Sequence, residues 1–238
     1  RLATERGRLM QALPARDGVM VATRSAADSV ERTIERLGLE ASTSVAAING
    51  PFNVVVAGPR GDVDAVLQDL DAAGRELPVS HAFHSPLMAP ASEDYRAVVE
   101  SISLCSSSIA LVSTITGRFA TEADLTCTEH WVRQLCSPVL FMPAVGALLD
   151  GDADPESAVP KISVVLELGP SPTLTKMARP LALRRGPSVE LTWAASIDRS
   201  SADSESVFLS KTATEVLAQT SVSELSASLD SIFKQRKR

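Results

Sequence analysis

Apolar positions in the first eighty residues alternate between two periods. Leu2, Leu9, Met10 and Leu13 fall near one face of a helix over residues 1–13, and Pro14 stops it. Val19–Thr23 reads as a strand. Ala27–Leu37 carries Val30, Ile34 and Leu37 at helical spacing and ends at Gly38. Val45–Asn49 and Asn53–Gly58 are short apolar strands parted by a turn signal, Gly50-Pro51. A second helix over Asp62–Ala73 turns Val63, Val66, Leu67 and Leu70 inward and stops at Gly74. Arg75–Val79 is a last strand. The order strand, helix, two strands, helix, strand over residues 17–77 is the split βαβ, or ferredoxin-like, pattern.

Beyond residue 80 the pattern is less regular. Leu87, Ala91, Tyr95, Val98 and Ile102 make one helical face, with Pro90 near the helix start. Ile109–Ser113 is a strand ending near Gly117. Ser137-Pro138 is expected to open a helix, serine at the cap and proline at the first position, with Phe141, Val145 and Leu148 on its apolar side. Gly151–Pro155 reads as a loop. Ile162–Leu168 is a continuous apolar strand suited to a sheet buried on both faces. Gly169-Pro170-Ser171-Pro172 turns it into a helix over Thr173–Leu183, and Val189–Trp193 is a further strand. From Ser196 the chain is serine-rich and polar. Asp203–Gln219 and Ser221–Phe233 read as helices, the second opened by a Ser221/Glu224 capping box. They suit a helix pair packed on the domain, or a docking helix for another module. The expected division is a larger α/β subdomain from residues 1–16 and 78–195, the small ferredoxin-like subdomain at 17–77, and a helical extension or linker at 196–238.

Composition narrows the class. With 45% hydrophobic and 22% charged residues among 238, the chain suits one or two globular cores. A net charge of -6 argues against nucleic acid as the main partner. No apolar run reaches the roughly 18–20 residues that span a bilayer, so no membrane association is expected. Arg1 to Arg8 are too charged for a signal peptide. Cys105, Cys127 and Cys136 form no CxxC pair, which disfavours zinc and a disulfide framework. Free thiols fit a reducing compartment, and cytoplasmic placement is the expectation. The chain begins without Met, inside a helix pattern, as a fragment of a longer protein would.

Candidate chemistry is sparse. His81, His84 and His130 each read as an ordinary polar residue near the surface or as a catalytic group. His84 stands out because it lies where a strand or loop passes into a helix, a junction that carries functional groups in α/β folds. Arg6 sits in the charged turn Glu5-Arg6-Gly7-Arg8, which on patterning alone is a solvated face.

Four separated stretches resemble the malonyl/acyl transferases of fatty-acid and polyketide synthases. They are Glu5-Arg6-Gly7-Arg8-Leu9-Met10-Gln11; Ala46-Ala47-Ile48-Asn49-Gly50-Pro51 with Val54–Gly58; Val79-Ser80-His81-Ala82-Phe83-His84-Ser85-Pro86-Leu87-Met88; and Trp131-Val132-Arg133-Gln134-Leu135, continued by Ser137-Pro138-Val139 and Phe141 and, further on, Glu167-Leu168-Gly169-Pro170. The resemblance spans about residues 1–195 and implies an α/β fold: an α/β-hydrolase-like larger subdomain, here partial, with an inserted ferredoxin-like one. It implies transfer of a malonyl group from malonyl-CoA to the phosphopantetheine thiol of an acyl carrier protein through an acyl-serine. No metal or redox cofactor is implied, and a ketosynthase in the same synthase is an expected neighbour.

The resemblance also assigns roles. His84 matches the catalytic histidine, base toward a serine hydroxyl and acid toward the leaving thiol. Arg6 matches the arginine that holds the free malonyl carboxylate with its planar fork. Gln134 matches a residue whose backbone carbonyl orients the histidine ring, the part Asp plays in a triad. Asn49 matches a pocket residue. His81-Ala82-Phe83-His84 resembles the malonyl-selecting tetrad, with Tyr-Ala-Ser-His in the methylmalonyl type; Phe83 would fill the space beside the malonyl Cα. The family's nucleophile motif, Gly-His-Ser-x-Gly, does not occur in the 238 residues, and its expected place is before residue 1. On that reading the fragment alone is inactive. The alternative is a partial or degenerate domain kept as a structural or docking element of a megasynthase.

Overall fold

The computed structural model describes residues 1–14, 17–151, 162–169, 171–185 and 191–195. The chain divides into two compact units, Arg1–Val159 and Pro160–Arg238. This division falls inside the 78–195 span expected to form one subdomain.

In the first unit, helix α1 (Leu2–Gln11) leads into β1 (Gly18–Thr23), α2 (Ala27–Leu37), β2 (Ser44–Gly50), β3 (Asn53–Pro59), α3 (Arg60–Asp69) and β4 (Gly74–Glu76). The four strands form one antiparallel sheet in the order β2-β3-β1-β4. This is the ferredoxin-like order. Strand alternation sends successive side chains to opposite faces. Val19, Val21, Val54 and Val56 therefore point one way and bury against Val30 and Ile34 of α2 and Val63 and Val66 of α3. Met20, Val55 and Ala57 point the other way, with Ala46, and receive Ala82. The second face of the sheet is thus covered by the loop that carries His84.

Helix α2 has the bounds its periodicity predicts. Gly38 ends it at φ +68, and Leu39 N donates back to Ile34 O at 3.0 Å. Helix α3 stops four residues before the expected Ala73. Asp71 takes φ +46, and Ala72 N donates to Leu67 O at 3.0 Å, so a short polar side chain supplies the left-handed stop expected of Gly74. Gly58 is needed for a different reason. A Cβ there would lie 2.3 Å from Thr43 Oγ1 and 3.0 Å from the Thr43 Cα. Gly58→Ala should cost about 1–3 kcal/mol of stability, the usual range for overpacking. Urea unfolding measures it, and adding Thr43→Ala should recover part of the loss, because Thr43 Oγ1 is buried without a partner.

A 3-10 turn over Pro86–Ala91 precedes α4 (Ser92–Glu100). The two prolines lack N–H donors and explain why the helical face expected from Leu87 begins as a tighter turn. A short hairpin, β5 (Val112–Ser113) with β6 (Arg118–Phe119), is followed by α5 (Glu122–Thr126), α6 (Thr128–Arg133) and α7 (Phe141–Asp150). Met10, Met88, Tyr95, Val99, Val132 and Leu135 form a second core among α1, α4 and α6.

The helix expected to open at Ser137-Pro138 begins instead at Phe141. Val139 N donates to Ala46 O, and Ile48 N donates to Val139 O, both at 2.9 Å. The edge of β2 takes up these backbone groups and holds residues 137–139 extended, the conformation that Pro138 already favours for Ser137.

In the second unit, β7 (Val164–Glu167) pairs in parallel with β8 (Thr192–Ala195), and α8 (Thr173–Leu183) has the expected bounds. The Glu167 carboxylate caps α8, accepting Leu174 N at 2.9 Å and Thr175 N at 2.7 Å. Within the described residues, Leu166 is 45% and Leu168 80% exposed, against the expectation of a strand buried on both faces. The sequence-expected loop end (152–155) and the two C-terminal helices (203–219, 221–233) lie outside the described residues.

Candidate active site

The site is built around an unusual backbone. His84 adopts φ +61, a left-handed conformation that costs energy for any residue with a Cβ and persists only where neighbours fix it. Three contacts do so. Ser44 Oγ, at the start of β2, donates to the His84 carbonyl at 3.0 Å. Buried Ser85 donates to Ala82 O at 2.6 Å and accepts from Leu87 N, closing the turn on the other side. The third contact is made by the ring: Nδ1 lies 3.0 Å from Ser137 O.

That last bond fixes the tautomer. A carbonyl oxygen only accepts, so Nδ1 carries the proton and Nε2 of the neutral ring keeps its lone pair. Burial, and next the Arg6 guanidinium, push the His84 pKa below its ordinary 6.5, against the opposing pull of the Ser137 and Gln134 carbonyls. Above that pH the ring is neutral. The carbonyl expected to orient His84 was that of Gln134. It does act on the ring, but the hydrogen bond is to Ser137. Gln134 caps α6, whereas the extended 137–139 segment carries the Ser137 carbonyl to the ring. In sequence Ser137 suits a helix cap and Ser44 belongs to no motif; neither side chain has a signal in the hydrophobic period.

Arg6 lines one pocket with Met10, Met20, Leu77, Phe83 and His84, and a second with Tyr95, Ser113, His130, Trp131 and Gln134. Its Nε is buried without a hydrogen-bond partner. Burial lowers its pKa, and the Tyr95 phenol opposes this, but a guanidinium stays charged at any physiological pH. Among the described residues no carboxylate is paired with it, while its neighbour Arg8 binds Glu5 at 2.8 Å. The solvated-face reading therefore fits Arg8 better than Arg6. Tyr95, 2% exposed, was legible in the sequence only as a core position.

Phe83 and His84 are brought to the Arg6 pocket; His81 and Asn49 are not among its lining residues. His81 is 4% exposed, with Nε2 3.0 Å from Leu13 O and Nδ1 2.8 Å from Ser80 Oγ. Both ring nitrogens are engaged, so His81 ties the end of α1 to the loop and packs on Phe83, ring centroids 5.8 Å apart. Asn49 lies at the far end of β2 from Ser44, beside the Gly50-Pro51 turn. Among the described residues no group of three His, Cys, Asp or Glu side chains could hold a metal, and no helix is long and apolar enough to cross a membrane.

A model of the acyl transferase domain matches residues 1–220, and the chain belongs to that family. Polyketide synthase GfsB of Streptomyces halstedii is 38% identical over 179 residues, 74% of this chain and 3% of that protein. The PKS-NRPS hybrid synthetase acdB of Aspergillus candidus is 34% identical over 200 residues, 83% of this chain and 8% of that one. Among solved structures, the acyltransferase domain from the second module of the salinomycin polyketide synthase superposes with a TM-score of 0.76 at 30% identity, covering 90% of this chain and 47% of that one. The malonyl CoA-acyl carrier protein transacylase of Clostridium perfringens gives 0.72 at 23% identity, a likeness of fold, over 92% of this chain and 65% of that one. The fold class is accordingly mixed α/β, an α/β-hydrolase-like part with a ferredoxin-like sheet. The chain spans about half the length of the salinomycin domain and a few per cent of the synthases.

Proposed function

We propose that this chain carries the base and the carboxylate clamp of an acyltransferase domain that loads malonyl groups from malonyl-CoA onto an acyl carrier protein. The observation that carries the reading is the pocket shared by Arg6 and His84, in which a buried guanidinium Nε has no partner and the ring Nε2 is free to accept a proton. Arg6 binds the malonyl carboxylate, an arrangement that favours a dicarboxylic acyl donor over acetyl. The attacking serine is assigned to a part of the parent protein outside these 238 residues. Its Oγ attacks the thioester carbonyl as His84 Nε2 takes the proton; the C–S bond breaks, and the imidazolium returns that proton to the departing coenzyme A sulfur. The phosphopantetheine thiol then attacks the acyl-serine with the same proton transfers in reverse. Coenzyme A and phosphopantetheine are carriers, and no metal or redox cofactor enters. The Ser137 carbonyl holds the ring through Nδ1, and the Gln134 carbonyl lies close enough to act on it. Phe83 narrows the space beside the acyl Cα. His81 supports Phe83 from behind. The domain works in the cytoplasm beside a ketosynthase of the same synthase.

The test is to express the parent reading frame extended upstream of Arg1, incubate it with malonyl-CoA or methylmalonyl-CoA, and read intact mass. A malonyl adduct on a serine supports the reading; a folded protein with no adduct from either donor sinks it. In the same assay Phe83→Ser should move the malonyl-to-methylmalonyl ratio toward methylmalonyl by about 10- to 100-fold, the range one methyl group can supply.

A further inference from the structure

The strained backbone of His84 is held from β2, outside the loop that carries it. Ser44 Oγ reaches the His84 carbonyl at 3.0 Å. Further along the same strand, Ala46 O and Ile48 N hold Val139. Val139 is two residues from Ser137, whose carbonyl receives the His84 ring proton. One strand therefore fixes both ends of the histidine, the backbone through Ser44 and the ring acceptor through residues 137–139. Ser44 is itself fixed, since its backbone is in register with Ala57 of β3. Of the contacts that β2 makes, only that of Ser44 is made by a side chain, and it can be removed without touching the ladder.

We propose that Ser44 is a positioning residue for His84: its hydroxyl pins the left-handed backbone and so keeps the ring proton on Nδ1, facing Ser137, and the lone pair on Nε2. The inference rests on the reading of His84 as the base, but it concerns the ring's state and not turnover. Without the Ser44 bond, the His84 carbonyl is free to turn to water. The backbone can relax toward φ below zero, the ring leaves Ser137, and the proton can pass to Nε2.

The chain contains three histidines, so nitrogen NMR of the 238-residue protein at a pH where the rings are neutral can resolve and assign all of them. Wild type should show His84 protonated on Nδ1. In Ser44→Ala the tautomer ratio should move toward Nε2–H by about fivefold, which is ~1 kcal/mol, the size of one net hydrogen bond. His81 and His130 should not change, and Ser44→Thr, which keeps the hydroxyl, should restore the wild-type ratio. An unchanged His84 ratio in Ser44→Ala overturns the proposal, as does a change in all three histidines together, which would report a general loosening. A His84 ratio restored by threonine in a chain whose parent forms no acyl-serine would leave the positioning role standing and sink only the catalytic reading.

Discussion

His84→Asn in the parent acyltransferase should lower formation of the acyl-serine by about a hundred- to ten-thousand-fold, the span that a positioned general base supplies. Asparagine is the informative replacement. His84 sits at φ +61, where asparagine is tolerated better than alanine, so the fold is kept while the imidazole proposed as the base is lost. Rapid-quench measurement of the acyl adduct reads the effect, with circular dichroism as the control. The wild-type pH profile should agree. Burial, and then Arg6, hold the His84 pKa below 6.5, so the ring is neutral and competent across neutral pH, and the acid limb should lie below pH 6.5. The folded protein binds the His84 proton less readily than the unfolded chain. This group's contribution is therefore fully present above the unfolded value and is lost as pH falls through the lower folded one.

Arg6→Met should separate function from stability in opposite directions. Methionine fills much of the arginine's volume without its charge. Because Nε is buried without a partner, removing it also removes a desolvated group that no described carboxylate compensates. Stability should stay level or rise, by no more than about 1 kcal/mol since the guanidinium is part-exposed. Malonyl transfer should fall by about 30- to 5,000-fold, the consequence of leaving a bound carboxylate unpaired at about 2–5 kcal/mol, with acetyl transfer spared. Side-by-side thermal melts and donor competition measure both. A variant that loses stability and both activities together would make Arg6 a structural residue.

The hydrophobic period carried much of the fold. Helix α2 has its expected bounds because it has an apolar stripe and an unambiguous stop at Gly38; α8 also has its expected bounds. The ferredoxin-like order follows from the same signals. It failed where tertiary contacts decide. Ser137-Pro138-Val139 has the residues of a helix start, yet the open edge of β2 takes its backbone into a bridge. Asp71, and not Gly74, takes the left-handed conformation that ends α3, while Gly74 lies in β4, where a Cβ would meet Val21 Cγ1 at 2.4 Å. Of the site, Arg6 and Phe83 were visible through resemblance and not through patterning, while His84 also stood out by its place where a loop passes into a helix. What no local signal carried is the pair of contacts at the ring and carbonyl of His84, from Ser137 and Ser44, which lie 53 and 40 residues away in sequence.

The bridge between β2 and Val139 has a second consequence, for colloidal behaviour. A four-stranded sheet in the order β2-β3-β1-β4 has two open edges, each a template for pairing with another chain. On one side β4 is only three residues long, and all three are exposed. It carries Arg75 and Glu76, and Arg60 grips the Glu76 carboxylate with two bonds of 2.9 Å. That edge is short and charged. The other edge, β2, is seven residues long and reads Ser-Val-Ala-Ala-Ile-Asn-Gly, without a charge. Its guard is the short extended segment at Val139, together with the register shifts at Val45/Ala47 and Ile48/Gly50 that bend the strand out of a flat ribbon. The segment that presents an acceptor to His84 thus also keeps this sheet from adding a strand of a second molecule.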